Sequence, residues 1–261
     1  MDRERLLALL ESVRRGDLAV GAAAERLAHL DPSPLHAEGE PGTSVATIDH
    51  HRALRCGYPE VVYAPGKTPS DLVRIAHEIL SRGDRLLVTR VEGEGLARLL
   101  AEVPGAVHHA RARAVTVSRA APAPGRRGVA VVTAGTADVP VAEEARVTAQ
   151  AMGEEPVAIY DVGVAGLHRL LARHDEIRRA RVLVVVAGME GALASVVGGL
   201  VDRPVIAVPT STGYGMNLAG VTTLLAMMNA CAPNVSVVNV DNGFGAGYVA
   251  SLVNRGMDEP R

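Results

Sequence analysis

The stretch Arg181-Val-Leu-Val-Val-Val-Ala-Gly-Met-Glu-Gly-Ala-Leu-Ala-Ser195 decides how this 261-residue chain folds. Its first half is apolar without alternation, the pattern of a strand covered on both faces. Gly188 and Gly191 then turn the chain into an apolar helical segment. The same unit recurs. Apolar runs at 128–134, 156–161, 204–208 and 234–240 each feed a glycine-rich or polar turn and then a helical pattern. Five such βα units in succession predict an α/β fold, a flavodoxin-like doubly wound parallel sheet.

Upstream the rhythm differs. Leu6, Leu7, Leu10 and Val13, then Val20, Ala24, Leu27 and Leu30, keep helical spacing broken at Gly16-Asp17, which predicts a helical hairpin. Residues 31–44 read as a linker. Strand-like runs follow at 45–48, 60–64, 85–91, 107–109 and 114–117, with helical periodicity over 69–81 and 93–101. The proline- and arginine-rich residues 119–127 read as an interdomain linker. The expected plan is a small αβ domain over 1–118 and the doubly wound domain over 128–261.

The apolar fraction of 48% is ample for a core, which excludes whole-chain disorder. A formal charge of -2 without a basic block excludes the usual nucleic-acid footprint. No run is apolar enough to span a bilayer, so no membrane partner is expected. Met1-Asp2-Arg3-Glu4 begins no hydrophobic signal core, and a cytoplasmic location is the expectation. Cys56 and Cys231 make neither a metal pattern nor, in a reducing compartment, a disulfide. Among 27 cations Lys67 is the only lysine. That singularity fits either a compact ammonium site or chance survival in an arginine-rich chain.

Open parallel sheets bind ligands at the carboxyl ends of their strands. After the first strand comes Thr133-Ala-Gly-Thr-Ala-Asp-Val-Pro140, where Gly135 permits close approach and Thr136 and Asp138 either cap the helix or touch a ribose or phosphate. Glu143 and Glu144 follow. After the third, Glu190 between Gly188 and Gly191 either profits from the helix dipole or serves as a general base. The fourth leads into Ser211, Thr212, Gly213 and Tyr214, a loop suited to phosphate or carboxylate. Asn242 and Gly243 after the fifth allow a ligand to approach backbone amides. Cys231 sits at the end of a helix expected over 217–230, where the dipole disfavours a thiolate; a small buried hydrophobe is its ordinary reading, and Cys56 shares it.

These loops resemble those of the class I carboxyaminoimidazole ribonucleotide mutases of purine synthesis over roughly residues 128–255, through Gly135-Thr-Ala-Asp138, Ala187-Gly-Met-Glu-Gly-Ala192, Arg203-Pro-Val-Ile-Ala-Val-Pro209 and residues 242–247. The mutases carry Ser-Ala-His-Arg after their second strand, and here that strand ends Tyr160-Asp-Val-Gly-Val-Ala-Gly166, with His168 deeper. Nearly the whole chain resembles the LarB family, which begins synthesis of the nickel-pincer nucleotide of lactate racemase. The matches are Asp49-His-His-Arg52 with Arg55, Gly57-Tyr-Pro-Glu-Val-Val62, Gly66-Lys67, Gly135 through Glu143, and Asn229-Ala-Cys231 leading to Val238 through Gly245.

That resemblance implies a carboxylase and hydrolase of nicotinic acid adenine dinucleotide, using carbon dioxide and magnesium and releasing AMP and pyridinium biscarboxylic acid mononucleotide. It implies Cys231 as the nucleophile that adds to the pyridinium ring, Glu190 as the proton-handling carboxylate, and Arg52 and Lys67 in an anionic site. Asp138, Glu143 and Asp241 become candidates for ribose or metal contacts. Mutase relatives form octamers with active sites between subunits, so a homo-oligomer is expected by analogy. The competing readings are an aminoimidazole ribonucleotide carboxylase and a non-catalytic dinucleotide-binding module.

Overall fold

The computed structural model describes residues 3–28, 32–36, 44–119 and 124–258, which fall into two compact units. The first begins with helices α1 (Arg3–Arg14) and α2 (Val20–Ala28), followed by the antiparallel pair β1 (Ser33–His36) and β2 (Ser44–Ile48). Part of the expected linker 31–44 is therefore a strand. Pro34 is tolerated because a two-stranded pair consists only of edges. After the short helix α3 (Arg52–Cys56) come β3 (Val62–Tyr63), α4 (Pro69–Arg82), β4 (Arg85–Thr89), α5 (Gly93–Glu102), β5 (Val107–His109) and β6 (Ala114–Ser118). Their sheet has the order β3-β4-β6-β5, with β3 and β4 parallel. Thr68 caps α4 by accepting from the Asp71 N–H, with Pro69 at the first helical position. Leu72, Ile75 and Ile79 bury that helix against Leu86, Val88, Val115 and Val117.

The second unit is the predicted parallel sheet. Its elements are β7 (Val129–Thr133), α6 (Val139–Ala151), β8 (Val157–Ile159), α7 (Leu167–Ala172), α8 (His174–Arg179), β9 (Val182–Ala187), α9 (Ala192–Leu200), β10 (Val205–Pro209), α10 (Val221–Met228), β11 (Val235–Val237) and α11 (Gly243–Gly256). The strand order is β11-β10-β9-β7-β8, all parallel, so the order reverses at β7. That reversal opens a crevice beyond the carboxyl ends of β7 and β9, where flavodoxin-like sheets take ligands. Val129, Val131, Val182 and Val184 fill one face beneath α6 and α11, while Ala130, Val132, Leu183 and Val185 fill the other.

Two helices approach unusually closely. A Cβ on Gly243 would lie 2.1 Å from the Val141 carbonyl oxygen, and one on Gly247 2.3 Å from that of Ala145. These glycines let α11 lie against α6, so helix packing explains Gly243 without a ligand. The expected helix over 217–230 is also shorter. Gly215–Gly220 form a 3₁₀ turn in which Leu218 and Ala219 stand at φ 48° and 53°, and α10 starts only at Val221. Gly220, at φ 92°, lies so close to the Thr210 carbonyl that no side chain fits there. Among the described residues no helix is long and apolar enough to cross a membrane.

Candidate active site

Seven non-glycine residues have a positive φ among the described residues, and five of them stand in the loops at the carboxyl ends of β8 to β11: Asp161, Met189, Leu218, Ala219 and Asp241. Each such residue costs about 1–3 kcal/mol, so strain gathered at one sheet edge marks it as a functional surface.

Asp138 forms the floor of the crevice. It is buried, accepts from the Gly135 N–H at 3.0 Å, and accepts from the Thr210 hydroxyl at 2.7 Å. Burial raises its pKa; the bonds from Thr210, Gly135 and Gly188 oppose that rise, and the nearby Asp241 carboxylate adds to it. Asp241 accepts from the Ser211 N–H at 2.8 Å and donates its own N–H to the Pro209 carbonyl. Two carboxylates, from the first and last loops, therefore meet around the fourth.

Glu143 is turned to other partners. Arg146 grips both its oxygens, at 3.0 and 2.7 Å, and the Tyr160 hydroxyl donates to it. Burial opposes its ionisation, but these bonds hold its carboxyl below the usual range, while burial and the same carboxylate push the Tyr160 phenol up. The three proposed metal contacts thus do not converge. Among the described residues no three His, Cys, Asp or Glu side chains gather closely enough to hold a metal ion. Asp138, Glu143 and Asp241 do not form a three-carboxylate site within one chain, and no step below passes through a magnesium ion.

Glu190 is exposed on the turn after β9, beside Met189, whose N–H donates to the Thr212 carbonyl at 2.9 Å. Gly188 is needed there, since its Cβ would lie 2.3 Å from that same carbonyl oxygen. Ser211 and Tyr214 face solvent, and Gly213 makes room for the Asn217 side chain, which donates to the Ser211 carbonyl. Thr136 is exposed in the turn before α6. At the start of α11 two amides are already taken: Glu144 accepts from Phe244, and Asn242 accepts from Gly245. Sequence reasoning passed over Thr210, Tyr160 and the rim pair Arg169–Asp161. Position was the available signal, since Thr210 and Tyr160 each directly follow a strand.

Cys231 lies elsewhere. It is exposed, three residues beyond α10 and four before β11. Its neighbour Ala232 lies against Gly198, near the end of α9, and Asn234 donates to the carbonyls of Gly198, Val201 and Arg203. All of these stand at the amino ends of the strands. The five residues of β10 separate that edge from Thr210, a span of roughly 16 Å. One chain does not bring Cys231 to Asp138 or Glu190. In the first unit Arg52 lies on α3 beside the Asp49–Arg55 ion pair, whereas Lys67, in the β3–α4 turn, donates to the Tyr63 carbonyl at 2.9 Å.

Residues 41–119 match the family model of the LarB/PurE-like N-terminal domain, and residues 128–259 match that of AIR carboxylase. A curated relative, an uncharacterized protein of Methanocaldococcus jannaschii, is 39% identical over 220 residues, which cover 80% of this chain and 84% of that one.

Proposed function

This chain belongs to the LarB family, with an AIR carboxylase-like C-terminal domain, and on that premise we propose that it carboxylates the pyridinium ring of nicotinic acid adenine dinucleotide and hydrolyses its phosphoanhydride. A carboxylase-type activity within nickel-pincer nucleotide synthesis is what the two domains support together. The observation that carries the finer reading is the crevice: the carboxylates of Asp138 and Asp241 meet around the loop after β10, and Glu190 stands exposed on the turn after β9 at the same edge of the sheet. Such an edge suits a cationic ring and the removal of a proton from it.

In this reading the Cys231 thiolate adds to the ring carbon beside the one to be carboxylated. The ring loses its positive charge and becomes an enamine. Its nucleophilic carbon then attacks carbon dioxide, forming the new carbon–carbon bond. Glu190 takes the proton from that carbon, and the electron pair released restores the ring as the thiolate leaves. Water separately cleaves the phosphoanhydride to give the mononucleotide and AMP.

Cys231 stands a sheet's length from the acids of its own chain, so this reaction requires the thiol of a second copy. The surface of α10 supports a homo-oligomer. Val221, Leu225 and Met228 follow helical spacing and are exposed, Leu225 by 60% and Met228 by 66%, and Tyr214 upstream by 82%. No Asp, Glu, Lys or Arg occurs between residues 204 and 240. A charge-free apolar face containing methionine and tyrosine has the composition of an interface core.

The test is direct. Purified protein is incubated with nicotinic acid adenine dinucleotide, bicarbonate and magnesium, and the products are weighed by mass spectrometry. A biscarboxylic mononucleotide with AMP is expected. Carboxylation of aminoimidazole ribonucleotide instead would overturn the assignment.

A further inference from the structure

Thr223 is completely buried on α10, a helix whose other residues are apolar apart from Thr222. A buried hydroxyl on a helix ordinarily bonds a carbonyl of its own preceding turn. Thr148 on α6 does so to Glu144 at 2.7 Å, and Ser251 on α11 to Gly247 at 2.8 Å. Thr223 leaves its helix instead and donates to the Met189 carbonyl, 34 positions upstream. Asn217 Oδ1 stands 3.2 Å from the same hydroxyl, which has a single hydrogen, and the Met189 carbonyl is the nearer acceptor.

That carbonyl belongs to the peptide leading into Glu190. The Glu190 carboxylate is exposed, so its direction is set by the backbone of the turn that carries it. Met189 stands at φ 54°, a region that is unfavourable for any residue with a side chain. Its N–H donates to the Thr212 carbonyl at 2.9 Å, and the Gly191 N–H donates to the Gly188 carbonyl at 3.0 Å. Rotation of the peptide between 189 and 190 would swing the acid away, and the bond from Thr223 opposes that rotation. α10 also packs closely beneath the turn. A Cβ on Gly191 would lie 3.0 Å from both Thr223 Cγ2 and Met227 Cγ.

We infer that Thr223 is a positioning residue, which holds the Glu190 carboxylate in place by fixing the peptide before it. The inference rests on the reading of Glu190 as the group that takes the ring proton. That step breaks a C–H bond, passes the proton to the carboxylate and returns the electron pair to the ring. Its rate depends steeply on where the acceptor stands, whereas binding of the dinucleotide does not use that transfer.

The test compares Thr223→Val, which keeps the branched shape without the hydroxyl, with Thr223→Ser, which keeps the hydroxyl. Thr223→Val is expected to lower kcat about tenfold at nearly constant KM. Substrate deuterated at the ring carbon to be carboxylated should show a larger isotope effect in that variant, because proton removal becomes more limiting. Thr223→Ser is expected to restore both. Thr148→Val loses a buried hydroxyl elsewhere and is expected to behave as the parent. Amide exchange over residues 188–191 gives a readout without catalysis. It should quicken about fivefold in Thr223→Val, the worth of one hydrogen bond, and return to the parental rate in Thr223→Ser. Should Thr223→Val not fold, Thr223→Ala takes its place with the same expectations. Parental exchange or an unchanged isotope effect in the hydroxyl-free variant would overturn the inference, as would a loss of turnover that Thr223→Ser does not repair. A parent that converts no dinucleotide would overturn the proposed function, and exchange alone would then decide whether Thr223 holds the turn.

Discussion

Asp138 and Asp241 are held by consecutive residues of one loop, the first by the Thr210 hydroxyl at 2.7 Å and the second by the Ser211 N–H at 2.8 Å. The loop after β10 therefore sets the separation of two carboxylates that come from opposite ends of the domain. Any movement of that loop changes both. This coupling locates the pH sensitivity of the crevice in its floor.

The raised pKa of Asp138 means that the folded chain binds this proton more tightly than the unfolded chain does. Stability from this group is complete below the ordinary carboxylate range and is lost as pH rises through the raised value. Asp138→Asn removes that titration. Urea unfolding followed from pH 7.5 down to pH 4 should show the parent gaining on the variant as the pH falls. A difference that stays constant across that range would contradict it.

Gly247→Ala should destabilise the protein by about 1–3 kcal/mol, because the added methyl forces α11 away from Ala145. Gly199→Ala is the control. A Cβ there meets nothing within 4 Å, so it should stabilise α9 by about 0.5–1 kcal/mol. Urea midpoints with unchanged slopes would read both effects.

Cys231→Ser should abolish carboxylation, as should Glu190→Gln, because a reaction centre built from both residues fails without either. Co-refolding the two variants should restore up to roughly a quarter of parental activity when the chains assemble at random. Recovery of nothing would place both residues in the same copy or outside the reaction. Adding NAD to the parent should also produce a near-ultraviolet band from the thiol adduct, absent in Cys231→Ser and retained in Cys56→Ser.

Leu225→Glu should split the assembly and leave the fold intact, since Leu225 is exposed on α10 and touches the core little. Sedimentation should report a smaller particle with an unchanged circular dichroism spectrum. A parent protein that sediments as a monomer would end the interface argument.

The doubly wound sheet was readable because β7, β9 and β10 are buried on both faces, which leaves unbroken valine-rich runs. β1 was hidden by Pro34 and by its pairing with β2, since the run at 45–48 reads as a strand but does not show which segment it pairs with. The crevice loops were found from connectivity, and Asp138 and Glu190 with them. What escaped was tertiary. Gly243 looked like room for a ligand and is room for Val141; Glu143 looked like a metal contact and belongs to Arg146 and Tyr160. The position of Cys231 follows from chain order alone, since a residue between a helix and the next strand stands at the amino edge.

That distance between thiol and acids has a kinetic meaning. In the proposed mechanism a lone protomer holds the nucleophile at one end and the proton acceptor at the other, so neither end alone completes the reaction. Specific activity should fall when the protein is diluted below the concentration at which its copies associate.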